Sequence, residues 1–464
     1  MKKILLLAML MTSLCVGRLS AQDYDYYDFS GCKWTDFDGT QYAPAGTFWK
    51  VSANGRFAVG YDDVIYSGSV YYWDAEDAED IKHLNRGYNR VALCDVSNDG
   101  VMVGSNEERE SIDSDEPTVS YPAYYQIGKG WTNLPVPNDY STLYATKQDF
   151  MDLARAITPD GKFIAGNVHL TRGYKETIFG DKTEAADIVP VLWTRNDMGE
   201  YELTNVYEGL GKNSLVYKDG ELVPGADTVN YQVFFVWDIS NDGKTIVGVN
   251  TAGCGGQNPA FIRDGKLVQI FDCGEEDAAD EVKNFNGGIC NSVDANGNIY
   301  GYYEMREAYT FKYFMFTKDN ELVFLDDQWV ICADKDGNKY GQAFQGLYMP
   351  LDCSEDGAVV AGNGMLNVQD LGVVNVPALV WNKKKATAIE RPSAAQTEVR
   401  VDYRRGGELF VNGIYQEATI YDAAGKMIAQ GKQGKSFNLS NQPNGIYLVK
   451  VTTAKGAKTF KVTR

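Results

Sequence analysis

The feature that most constrains this chain is one phrase written six times: "KVSANGRFAVG" (50–60), "DVSNDGVMVG" (95–104), "AITPDGKFIAG" (156–166), "DISNDGKTIVG" (238–248), "SVDANGNIYG" (292–301) and "DCSEDGAVVAG" (352–362). Each copy carries Asn or Asp directly before a glycine, as Asn54, Asp99, Asp160, Asp242, Asn296 and Asp356. Two positions before that residue stands Ser, Thr or Asp, and four or five beyond the glycine comes a second one, Gly60, Gly104, Gly166, Gly248, Gly301 or Gly362. An Asx-Gly pair between apolar or β-branched runs is a hairpin signal, because glycine takes positive φ at little cost and the Asx side chain caps the turn. The phrase therefore reads strand, tight turn, strand. A glycine inside the returning strand has no side chain to pack, and its usual reason is the close approach of another backbone, which crowding near the axis of a ring would supply.

A second apolar run follows each copy: "VYYWD" (70–74), "PAYYQI" (122–127), "PVLWTR" (190–195), "PAFIRDGKLVQI" (259–270), "YFMFTKDNELVFL" (313–325) and "PALVWN" (377–382). Each repeat thus supplies two hairpins, or four short antiparallel strands. The turn glycines stand at 55, 100, 161, 243, 297 and 357, at intervals of 45, 61, 82, 54 and 60 residues. Four strands at such a period are the signature of propeller blades. The expectation is an all-β chain in which a six-bladed β-propeller over 47–390 is followed by a small Ig-like β-sandwich. A pair of stacked sandwiches built from the same hairpins is the alternative for the repeats. The longest interval holds an insertion, with 172–187 and 207–230 as candidate loops. The phrase and its following aromatic run resemble the extracellular repeats of the HAF type, which imply a secreted propeller and no fixed activity.

Residues 1–21 read as a secretory signal peptide, with two lysines, a short apolar run and small residues ending at Ala21. Residues 22–46 are left as an N-terminal segment outside the repeats. No later stretch is long and apolar enough to span a bilayer. Without Cys15, seven cysteines remain, an odd number. With no CxxC and two histidines, they fit no zinc pattern. They read as mostly buried thiols, with one or two bridges among Cys254, Cys273 and Cys290. The formal charge of -19 and the pI near 4.6 argue against a nucleic-acid partner, which would need clustered Lys and Arg.

The last segment, 391–464, differs from the rest: it holds twelve Lys or Arg against five Asp or Glu, which leaves about -29 on 22–390. Its short alternating strands are marked off by Gly, Asn and Pro. The phrases "TIYDAAGKMI" (419–428) and "LSNQPNGIYLVKV" (439–451), with the terminal "KTFKVTR", resemble the C-terminal sorting domain of the type IX secretion system of Bacteroidetes. The residues that carry the resemblance are Tyr421, Asp422, Gly425, Lys426, Pro443, Gly445, Ile446, Tyr447 and Val449. The resemblance implies an Ig-like sandwich read by the outer-membrane translocon and commonly removed by a sortase-like protease, here near "RPSAAQ" (391–396). The passenger is then released or held on surface lipopolysaccharide.

For the passenger, the first reading is a cell-surface binding protein with a glycan or protein ligand. Thirty tyrosines and eight tryptophans offer stacking surfaces. A glycan-acting hydrolase or lyase on the same scaffold is the alternative, since it needs only two suitably spaced carboxylates. A structural surface protein is a third. No GxSxG elbow, P-loop or GxGxxG site is present, so catalytic residues stay unassigned and no organic cofactor is expected. Five residues before the turn glycine, the second, fourth and sixth copies carry Asp95, Asp238 and Asp352, while the others carry Lys50, Ala156 and Ser292. Three carboxylates at one level of a ring are a candidate Ca²⁺ site. The alternative is that each holds its own turn by accepting backbone N–H bonds.

Overall fold

All six copies of the phrase form the same turn. The turn glycines sit at φ between +64° and +82°. In five copies the hydroxyl of Ser52, Ser97, Thr158, Ser240 or Ser354 donates to the Asx carboxyl or carboxamide two residues on, and accepts the N–H of the returning strand. In the fifth copy Asp294 does this work alone, taking the N–H groups of Asn296 and Asn298 and the Asn298 carboxamide.

A computed structural model describes residues 24–382 except 33, 36–40, 43–44, 62–69, 79, 85–90, 108–118, 142–151, 177–181, 226–232, 252–256, 272–284, 306–309, 326–328 and 369–371. It also describes 400–464 except 405–407, 413–415, 424, 433–436 and 454–455. Residues 1–21, read above as a signal peptide, the "RPSAAQ" segment, Cys254 and Cys273 lie outside the described residues. Cys290 is a free, buried thiol.

The chain divides into two compact units, Met1–Ala386 and Thr387–Arg464. The first is a β-propeller. Its repeats form antiparallel four-stranded sheets, each read outward from an inner strand: Thr47–Val51 in sheet one, Val91–Val96 in sheet two, Leu153–Ile157 in sheet three, Phe234–Ile239 in sheet four, Phe285–Val293 in sheet five and Met349–Cys353 in sheet six. The core lies between sheets. Separate apolar clusters fill the gaps between one and two, two and three, three and four, four and five, and six and one. This cyclic packing, rather than one central core, is what a ring of blades requires.

Three features were not read from the sequence. The sixth repeat supplies only three strands to its sheet. The fourth is Asp25–Asp28, which pairs with Gly372–Trp381 in register Asp25↔Trp381 to Asp28↔Ala378. The insertion before sheet four is also more ordered than a loop. Phe163–Glu176 and Lys182–Arg195 extend sheet three as a long hairpin, and Leu215–Lys218 with Glu221–Pro224 adds two strands to the outer edge of sheet four. Finally, the gap between sheets five and six is filled by a seventh copy of the phrase, "ADKDGNKYG" (333–341). Asp334 takes the N–H groups of Asp336 and Asn338, the Asn338 carboxamide and the Tyr340 hydroxyl. This is the pattern of Asp294 with Asn296, Asn298 and Tyr300. Among the described residues the seventh unit has no sheet of its own, only the bridge Ala333↔Lys339. Ile331 packs with Tyr313 of sheet five and Leu351 of sheet six, while Cys332, Tyr340 and Leu347 pack on Val360, Ala378 and Val380.

The second unit places a three-stranded and a four-stranded sheet around a core of Leu409, Ile420, Phe437, Leu439, Tyr447, Val449 and Val451, among others.

Candidate functional site

The wall of the channel is set by a bulge repeated in every inner strand. Register shifts fall between Phe48/Lys50, Leu93/Asp95, Ala154/Ala156, Val236/Asp238, Cys290/Ser292 and Pro350/Asp352. The residue without a partner is the sixth before the turn glycine each time. A bulge re-aims its side chain, so positions six and five before the glycine both border the channel instead of alternating across the sheet. The second glycine of the phrase pairs with the residue just before the bulge, as in Gly104↔Leu93 and Gly248↔Val236. A Cβ there would run into a carbonyl oxygen of the inner strand, Ala92 O or Phe235 O in these two copies. The backbone that approaches is therefore the neighbouring strand, at its bulge.

Seven bulge-level residues line one cavity of about 420 Å³ including its mouth: Trp49, Cys94, Arg155, Trp237, Asn291, Ile331 and Leu351, one from each unit, with Tyr61 and Lys50 beside them. Arg155 lies over the Trp237 ring, 4.1 Å from its centroid, and its Nη1 reaches Cys94 Sγ at 3.8 Å. Trp49 stacks on Tyr61 with centroids 5.2 Å apart. Two polar atoms of this wall are buried and unpaired: Trp49 Nε1, a donor, and Asn291 Oδ1, an acceptor. Burial pushes the Cys94 thiol up in spite of Arg155, which leaves it a neutral wall group rather than a nucleophile.

One level further along stand the three aspartates. Asp95 Oδ2 accepts the N–H of Ile157 at 2.8 Å, Asp238 Oδ2 that of Val293 at 3.0 Å, and Asp352 Oδ2 that of Val51 at 2.8 Å. Each carboxylate therefore ties its own sheet to the next one. Asp95 and Asp238 also accept the N–H of the following residue, Val96 and Ile239. Their positive partner is Lys50, whose Nζ is 2.9 Å from Asp238 Oδ2, with side chains only 14% and 11% exposed. Burial opposes the charge on Lys50, but Asp238, Asp352 and Asp95 together raise its pKa. Burial also lifts Asp95 to about 8 and Asp352 to about 6, against the pull of Lys50. Among the described residues no group of three His, Cys, Asp or Glu side chains is disposed to hold a metal. A calcium ion at this level would compete with Lys50 for the same oxygens.

Lys50 borders both the aromatic cavity and a second, polar one of about 640 Å³ with its mouth, on the turn side. The Lys50–Asp238 pair, running from sheet one to sheet four, lies where the two cavities adjoin. Of the histidines, His169 is buried and engaged by Asp152, with Nδ1 and Oδ2 2.7 Å apart.

In the second unit, the two phrases of the tail lie on adjacent antiparallel strands, with Tyr421 opposite Leu448 and Asp422 opposite Tyr447. Asp422 Oδ1 accepts the N–H of Lys426, and Gly425 takes φ of +83°, closing the first turn. The Tyr447 hydroxyl donates to Pro443 O at 2.6 Å, while Tyr447 and Val449 enter the core and Ile446 faces solvent. The last residue closes the second turn: Arg464 N donates to Gly445 O and its Nη2 to Ser440 O. Residues 392–463 match the family described as the secretion system C-terminal sorting domain. The tail is a type IX sorting domain. A sorting domain directs its chain to the type IX machinery, and hence to the cell surface or beyond it. No helix among the described residues is long and apolar enough to cross a membrane.

No curated protein matches the chain. Solved structures similar to it include TolB from Acinetobacter baumannii, at 10% identity and a TM-score of 0.34, covering 72% of this chain and 63% of that one. A streptogramin B lyase is 12% identical with a TM-score of 0.30, covering 77% and 97%. The Dos1 propeller is 9% identical with a TM-score of 0.31, covering 94% and 93%.

Proposed function

We propose that this protein is a surface-directed binding protein whose ligand enters the aromatic pocket of the channel, and that the ligand is a glycan. The observation that carries this reading is the aromatic lining of the pocket, Trp49, Tyr61 and Trp237, with the Arg155 guanidinium beside it. A sugar hydroxyl both accepts and donates, and indole rings suit the apolar face of a pyranose. In this reading the outer-membrane translocon recognises the tail, and a sortase-like protease removes it near 391–396.

A glycan array probed with the mature chain, with mass analysis of each spot, is the test. Retention of intact glycan by the wild type, lost in Trp49→Ala, supports the reading. Retention unaffected by Trp49→Ala moves the site elsewhere. Shortened glycan makes the protein a hydrolase or lyase. For the tail, the mass of the surface form should fall short of the chain that begins at Gln22 by the 392–463 module.

A further inference from the structure

We propose that Cys332 and Cys353 are joined by a disulfide in the exported protein, fastening the seventh unit to sheet six. At four junctions of the ring, the residue five before the turn glycine bonds the following unit through its side chain. Asp95, Asp238 and Asp352 do so through a carboxylate bonded to the N–H of the residue four before the next turn glycine: Ile157, Val293 and Val51. Ser292 does so through its hydroxyl, which donates to Ile331 O at 2.5 Å. At the junction of the seventh unit with sheet six, these two positions are Cys332 and Cys353. Both are free thiols in this structure, and Cys353 packs against the apolar cluster that holds Cys332. The two cysteines therefore stand where four of the other junctions carry a polar tie.

The seventh unit has most need of a covalent link. Among the described residues it contributes no strand to any sheet, and its ties to its neighbours include the Ser292 bond, Lys335 N to Glu355 O at 2.7 Å and Asn296 Nδ2 to Lys335 O at 3.0 Å. Cys332 and Cys353 share an apolar cluster with Tyr340 and Leu347, yet both also border the turn-side cavity, which gives a small oxidant a route. Export takes the chain out of the reducing cytosol.

The oxidant is a disulfide, either of an exported oxidoreductase or of low molecular weight. One cysteine thiolate attacks it to give a mixed disulfide and releases one thiol. The second thiolate then displaces the remaining oxidant thiol and closes the bond. Two protons and two electrons leave the pair, and the oxidant is reduced to two thiols.

The test is peptide mapping of the full chain recovered from the exporting cell, denatured in an alkylating agent without reductant. The expected result is a linked peptide pair containing Cys332 and Cys353, lighter by two hydrogens than the sum of its parts. Alkyl groups on both cysteines would overturn the proposal. Cys332→Ser, Cys353→Ser and the double variant give a second readout. Under oxidising conditions all three should lower the urea midpoint equally, and in reductant the differences from wild type should vanish. Equal losses in both conditions would assign the pair a packing role alone.

Discussion

Replacing Lys50 with methionine isolates the charge where the two cavities adjoin. Methionine keeps an unbranched stem of similar reach and removes the ammonium 2.9 Å from Asp238. Three carboxylates then share a shielded site with no cation, held only by backbone N–H groups. Removing one partner of a buried pair costs about 3–5 kcal/mol, because the other charge is left uncompensated. The protein can escape part of that cost by binding protons. Each proton taken up reduces it by about 1.4 kcal/mol for every unit the pH falls. The penalty should therefore be about 4 kcal/mol at pH 8 and far smaller at pH 5. Urea unfolding followed by tryptophan fluorescence measures it cleanly, since all eight tryptophans precede residue 387 and the sorting domain is silent. Lys50→Met with Asp238→Asn should recover much of the loss. A penalty below about 1 kcal/mol, or one equal at pH 5 and pH 8, would refute the idea that Lys50 holds the aspartates together.

The wild type has its own pH dependence. Asp95 and Asp352 bind protons more tightly folded than unfolded, so the stabilisation they contribute is complete below about pH 4 and is lost as pH rises through about 6 for Asp352 and about 8 for Asp95. The urea midpoint should fall between pH 5 and 9, and Asp95→Asn should flatten the upper part of the curve. Calcium and Lys50 compete for the same oxygens, and we expect melting curves in EDTA and in excess calcium to superimpose; a rise with calcium would restore the aspartates as metal ligands. Gly248→Ala drives a methyl into Phe235 O and should destabilise by about 1–3 kcal/mol or more, read by the same unfolding curve. Deleting residues 22–31 should leave Gly372–Trp381 as a bare edge and speed its cleavage in limited proteolysis; unchanged cleavage would count against the pairing.

The turns, the repeat and the tail were legible because each is a local pattern: Asx-Gly hairpins announce themselves in ten residues, and the tail phrases are nearly contiguous strands. The pocket was not legible. Strict alternation puts Trp49 and Lys50 on opposite faces, and only the bulge brings both to the channel. The second glycine was the available signal, since its reason was rightly sought in an approaching backbone but not in a bulge. Lys50 looked like a departure from the aspartate pattern and is the counter-charge to it. The seventh copy escaped because no second hairpin run follows it and it has Lys339 where five of its six relatives have Phe, Met, Ile or Val. The shared string in "DANGNIYG" (294–301) and "DKDGNKYG" (334–341) would have found it. The strand Asp25–Asp28 could not be found locally, because its partner lies some 350 residues away.

That last pairing sets a schedule for export. A chain that emerges in order presents Asp25–Asp28 first and must keep it unpaired until Ala378–Trp381 arrives, just before the sorting domain. Bringing such distant segments together is slow but only modestly more costly than closing a shorter loop. The body is therefore completed at nearly the moment its address appears. A chain cut short anywhere in the repeats lacks the clasp and the label together, so an unfinished passenger carries no ticket to the surface.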